Sequence, residues 1–372
     1  MSEIMKPTIR QILGVHPFAI RPRVPPPMRV SAGFAGRLHW QLVDRFGIIE
    51  QEGEQHNLIL DQGLDQVAST SILRYTGDSI AGINGTGLAQ YVAVGTGSTA
   101  ETTSDTVLDA EIARTGTSYQ SFAYSRPSDG VIDLTKYFEF DYTQANGNLA
   151  EWGTSWGGGA GSNLFSRALF LDGGGAATTI TKTSAYKLRM IYTLEVTVSP
   201  TTFTAGSFVI TNVGTITGNY RLFNSRNASS ADVNLISAFA RGATATVGGA
   251  PSWPGSGSIE AYPADLSGAT YTSGAESSYV SGSVARSVDT AWSAYTPGSY
   301  ARSGAVMKWD TAYANITIYG FRIWGVHLYD SASFASDQRV GYLFDFDAGL
   351  EFAKDNTHTL TVGLPDVSWG RT

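Results

Sequence analysis

Five histidines, two closely spaced aspartates, one glycine-rich turn and a few tryptophans are the residues of this 372-residue chain whose types could do chemistry. His16, His39, His56, His327 and His358 stand singly, and none forms the HExxH pair or short ligand cluster that a catalytic zinc requires. Each therefore reads as a strand or surface histidine. Asp345 and Asp347, in DFD, fall on one side of an extended chain, where paired acids could serve glycoside hydrolysis or hold calcium. Without a fuller set of acidic ligands neither use is favoured.

GTGST (95–99) looks like a phosphate cradle but lacks the Gly-Lys-Ser/Thr ending and follows no βα unit, so a glycine turn between strands is expected. Trp152 and Trp156 in WGTSWGG, and Trp253 in PSWPGSG, lie in glycine-rich stretches where an exposed aromatic face could stack on a sugar ring. Their competing role is packing under a loop or at a subunit contact. The absence of cysteine excludes disulfides, thiolate metal sites and thiol nucleophiles. Converging polar groups are scarce, and the chain is expected to be no enzyme, with no cofactor and no metal.

The elements that would carry these residues are strands. GRLHWQLVDRFG (36–47) alternates Leu38, Trp40 and Leu42 with polar neighbours and should end at Asp44. YKLRMIYTLEVTV (186–198) does the same, and ITIYGFRIWGVHLYD (316–330) is a third aromatic-rich strand or strand pair. Helical spacing is confined to 57–76, through Leu58, Leu60, Leu64, Val67 and Ile72, with Asp61 or Asp65 as N-cap. Charged residues make up 15% while glycine fills 42 positions, a composition suited to strands and turns. No apolar run reaches the roughly 18 residues of a membrane span, and the first twenty residues lack a secretory pattern.

Residues 1–30 are different. They hold Pro7, Pro17, Pro22, Pro25, Pro26 and Pro27, and Lys6, Arg10, Arg21, Arg23 and Arg29 against Glu3 alone, which gives +4 there and -11 elsewhere. Proline fixes φ and deletes a backbone donor, so the segment should run extended. Its apolar and basic residues, Ile12, Leu13, Phe18, Ile20, Arg21, Arg23, Val24, Pro25, Pro26, Pro27, Met28 and Arg29, suit an arm ordered by lying on another subunit. Five scattered basic residues make too small a footprint for nucleic acid.

The body also repeats. A shift of 172 carries EIART (111–115) onto SVARS (283–287), Lys182 onto Lys354, Leu188 onto Leu360 and Met190 onto Val362. At nearby offsets RALFLD (167–172) faces GYLFDFD (341–347), and HNLIL (56–60) faces VNLIS (233–237). The expected fold is all-β: two related antiparallel β-sandwich modules with Gly-rich loops, 34–200 and 201–372, preceded by an extended arm, 1–33.

The order GRLHWQLVDRFGIIEQEGEQHNLILDQGLDQVA, YVAVGTGSTAETTSDTVLDAEIART, KYFEFDY, NLFSRALFLD and ITKTSAYKLRMIYTLEVTV, over about 36–198, resembles a β-module of tailed-bacteriophage virion proteins. Those are tail fibre, tail appendage or minor structural components. The resemblance implies a multi-copy, non-enzymatic virion part, made in the bacterial cytoplasm. It would be anchored through its arm to the tail or neck, with other virion proteins and further copies of itself as partners. The alternatives are a receptor-recognition module that binds a host-surface glycan, and a decoration protein of the capsid surface.

Overall fold

The computed structural model describes residues 25–75, 83–161, 163–210, 213–224, 231–242, 258–264, 267, 287–290, 292–303, 306–312, 314–327 and 339–372. The first half forms β1 (Arg29–Val43), β2 (Ile49–Ile59), α1 (Asp61–Val67), β3 (Leu73–Tyr75), β4 (Ile83–Thr86), β5 (Tyr91–Gly95) and β6 (Glu111–Thr115). It continues with β7 (Ala123–Ser128), β8 (Val131–Phe140), β9 (Gly147–Leu149), β10 (Glu151–Ser155), β11 (Leu164–Leu169), β12 (Ile180–Lys182) and β13 (Lys187–Ser199). The second half supplies β14 (Thr204–Ile210), β15 (Gly214–Asn224), α2 (Ala231–Ala240), β16 (Ser258–Tyr262), β17 (Ser287–Thr290), β18 (Ala301–Arg302) and β19 (Val306–Trp309). It ends with β20 (Thr317–Ile318), β21 (Gly320–His327), β22 (Arg339–Phe346), β23 (Phe352–Ala353), β24 (Leu360–Gly363) and β25 (Asp366–Arg371).

The chain is thus all-β and mainly antiparallel, as its alternating sequence requires. Along β1 the even positions Val30, Ala32, Phe34, Leu38, Trp40 and Leu42 are buried while most of their neighbours stay partly exposed. The large sheet runs β6-β5-β10-β11-β2-β1-β13-β8-β7, with β25 added to β1 and β18 to β25. It curls into a half-barrel, because the chain beyond β6 returns to β8: Ser118 bridges Phe138, and Glu139 N donates to Thr117 O at 3.1 Å.

A second sheet runs β16-β21-β22-β15-β14-β24-β19-β17. Strand for strand this is the order β5-β10-β11-β2-β1-β13-β8-β7 of the first sheet. Single rungs correspond too. Ala150 N donates to Gly95 O (2.9 Å) and Phe170 N to Ala150 O (2.8 Å), and Tyr319 N donates to Tyr262 O (2.9 Å) and Phe346 N to Tyr319 O (3.0 Å). Leu188 faces Phe140 where Leu360 faces Trp309.

Several expectations need correction. β1 starts at Arg29 rather than 36, because residues 29–34 pair in parallel with β25, a partner at the far end of the chain. Residues 29–33 therefore belong to the body. Nor does residue 200 separate two sandwiches: β18 and β25 lie in the first sheet, and one apolar core runs from Met28 to Trp369. HNLIL ends a strand, whereas VNLIS lies inside a helix. The helix of 57–76 is only α1, and its N-cap is Leu60, which offers no side-chain cap. The two acids that read as caps instead hold the second half. Asp61 binds Arg371, and Asp65 accepts Gly298 N (2.7 Å) and the Tyr295 hydroxyl.

Candidate functional site

The groups singled out in the sequence do not converge. His39 Nε2 meets Glu52 Oε2 at 2.9 Å, His358 meets Asp355, and His56 lies on β2. His16 lies outside the described residues and His327 closes β21. Asp345 is buried within β22, while Asp347 is exposed beyond its last residue and accepts the Thr217 hydroxyl, so the two do not form a paired site. Among the described residues no three His, Cys, Asp or Glu side chains gather as metal ligands.

The tryptophan expectation also changes. Trp152 is fully buried in β10, edge-on to Tyr192 with ring centroids 6.2 Å apart, and cannot face a sugar. Trp156 is half-buried against the same core, and Trp253 lies outside the described residues. The arm residues Ile12, Leu13, Phe18, Ile20, Arg21, Arg23 and Val24 also lie outside them. Pro26 O accepts Ser207 N, Pro27 bridges Ser207, Met28 is buried in its own core and Arg29 opens β1, so Pro26–Arg29 already contact the chain's own body.

The GTGST turn serves an internal charge cluster. Arg167, 1% exposed, meets Glu151 (3.0 Å), Asp109 (2.9 Å) and Asp105. Glu151, also fully buried, accepts Gly97 N (3.1 Å), Asp109 N (3.0 Å) and Ala110 N (2.8 Å). A Cβ at residue 97 would stand 2.4 Å from Glu151 Oε1, so only glycine fits there. Burial alone would raise Asp105, but hydrogen bonds from Thr102 and the Arg167 guanidinium hold it below the usual carboxylate range. These charges are spent on one another.

A motif missed in the sequence joins the halves more tightly than any compared there. Asp141–Asn146 reads DYTQAN and Asp310–Asn315 reads DTAYAN. Lys182 Nζ donates to Asp141 O and Asn146 Oδ1, both at 2.9 Å, and Lys354 Nζ to Asp310 O and Asn315 Oδ1, both at 3.0 Å. Ala145 (φ 54°) and Ala314 (φ 53°) adopt the left-handed conformation that L-residues resist, at the same place in each turn. A search for spaced Asp and Asn around each lysine would have found it.

What remains open is an edge. β2 pairs with β1 along most of its length, but with β11 only through Leu58 and Ile59. From residue 57 back to 49 the other side of β2 has no backbone partner among the described residues. Where the strands part, the Gln55 side chain bridges the gap, donating to Leu169 O and accepting Leu171 N (3.0 Å). Beyond it lies an open cavity of about 420 Å³ between Gln51–Glu54 and the 171–180 turn, with Trp40 and Ile180 in its lining.

The Trp40 indole crosses Gly53 of β2, where a Cβ would stand 2.8 Å from Nε1, and that N–H has no partner among the described residues. Glu52 and Glu54 are exposed on the outer face, and Gln41 and then His39 hold the Glu52 carboxyl below its usual range by hydrogen bonds. At the end of the edge the β1–β2 turn exposes Phe46 (80%), Ile48 and Ile49. An unpaired strand edge with an apolar tip is a surface for binding an extended chain. No described helix is long and apolar enough to cross a membrane. Comparison with protein families, with curated proteins and with solved structures gave no match to this chain.

Proposed function

We propose that the chain is a non-enzymatic structural component of a tailed-phage virion, held to neighbouring subunits by extended-chain docking. The observation that carries the docking is the unpaired edge of β2, on a chain whose first 24 residues are proline-rich and cationic. A proline-rich arm cannot bury enough of itself to fold alone, whereas an open edge supplies it with backbone partners. The virion assignment rests on the sequence resemblance. The glycan-binding alternative loses the buried Trp152 and keeps only the half-buried Trp156 of its tryptophans among the described residues.

The body is read as two copies of one module whose last strand was exchanged into the first sheet. Matching strand order and the two lysine-held turns support that reading. The arm is then 1–24, with 25–28 already against the body.

The test compares the full chain with one starting at Pro25, which spares the buried Met28 and Val30. The full chain should self-associate in sedimentation while the shortened one stays folded and monomeric. Mass spectrometry of purified phage particles should find the chain in constant stoichiometry. Its absence from particles, or turnover of a polysaccharide by the purified chain, overturns the proposal.

A further inference from the structure

We infer that the open edge of β2, residues 49–55, receives residues 8–16 of a second copy as an added strand. The inference rests on the docking role proposed above and names the segment and the place.

Thr8 to His16, TIRQILGVH, is the longest proline-free run of the first 24 residues, so it offers the longest row of consecutive backbone donors to an edge. In an extended chain Ile9, Gln11, Leu13 and Val15 share one face, and Thr8, Arg10, Ile12, Gly14 and His16 the other. The edge is two-faced in the same way. Its inner side opens on the cavity beside Trp40 and Ile180, and its outer side carries Glu52 and Glu54, with Glu50 at the bulge that follows. Strand addition therefore puts Leu13 and its neighbours into the cavity and Arg10 beside the glutamates. The signs agree: this edge is acidic and the arm is the basic part of an otherwise acidic chain.

Reach favours a second copy over the chain's own arm. At about 3.3 Å per residue, the cleft beside Trp40 lies about 36 Å along β1 from Arg29. The chain from Pro25 back to His16 spans at most about 32 Å. In cis the stretch would be drawn taut and only its leading part would meet the edge. A neighbour delivers all of it without tension.

The test uses full-length chains, which have no cysteine of their own. Gln11→Cys in one tagged chain and Gln51→Cys in another, mixed and treated with a short bismaleimide, should join as a covalent heterodimer. Joining only within a Gln11→Cys/Gln51→Cys double variant, with no heterodimer, overturns the inference. Arg10→Glu should weaken self-association by about tenfold, Glu52→Lys with Glu54→Lys by as much, and their combination should restore it. Circular dichroism checks that each variant is folded. Association that needs residues 1–24 but ignores the edge substitutions overturns this inference and leaves the docking role standing. Association indifferent to residues 1–24 overturns both.

Discussion

The two halves share a strand order but treat one junction differently. In the second half β15 is zipped to β22 over residues 218–224, and Asp347 N extends the ladder by donating to Thr217 O. In the first half the corresponding pair, β2 and β11, meets only at Leu58 and Ile59. This leaves a gap between the two strands. It is held by Gln55, whose amide takes the backbone groups of residues 169 and 171, and by the turn that carries residues 170–172 away from β2 toward residues 176–178. One topology therefore yields a continuously paired junction in the second half and a parted one in the first.

A second difference concerns buried arginine. Arg167 on β11 faces Gly153 on β10, and at the same rung of the second half Arg322 on β21 faces Leu343 on β22. The cation has changed strands while staying in the core.

The largest expected effect is at Arg167. Arg167→Met leaves Glu151 charged and buried, a loss of about 3–5 kcal/mol, and urea unfolding should show it. Adding Glu151→Gln should recover a good part, as coupled groups do. Full additivity of the two losses would refute the cluster as a unit.

Next come the two turns. Lys182→Met and Lys354→Met each strand a carbonyl and an asparagine oxygen, at about 1–3 kcal/mol, and similar losses would show that the halves are alike there. Burial pushes Lys182 down to about 8, from 10.5, with the Asp141 charge opposing. Between those pH values the unfolded chain binds more protons than the folded one, so this group's contribution to stability rises with pH from about 8 to about 10.5. Melts of Lys182→Met should lack that rise.

The smallest effect on folding is at the apolar tip. Phe46→Ser should change stability by no more than about 0.5 kcal/mol while lowering retention on a hydrophobic matrix. A marked loss of melting temperature would mean that the ring supports the hairpin and is not surplus surface.

The strands were legible wherever alternation was continuous, as in KLRMIYTLEVTV, because one buried face imposes a period of two. The start of β1 was not, since the pairing of Arg29 and Val30 depends on Asp366 and Val367, whose approach no local pattern announces. RALFLD and GYLFDFD were set against each other slightly out of register, for ladder bonds align Phe170 with Phe346. The open edge went unread as well: its only mark is the charge of Glu50, Glu52 and Glu54, which a search for alternating apolar residues passes over.

Parallel neighbours need a long crossover, and between β1 and β25 that crossover is everything from β2 to β24. The ribosome releases the first sheet with a vacant berth along its opening strand, and the berth fills only when the final strand emerges. Contacts so distant in sequence form late. A chain interrupted before Asp366 would lack the seam that ties both halves.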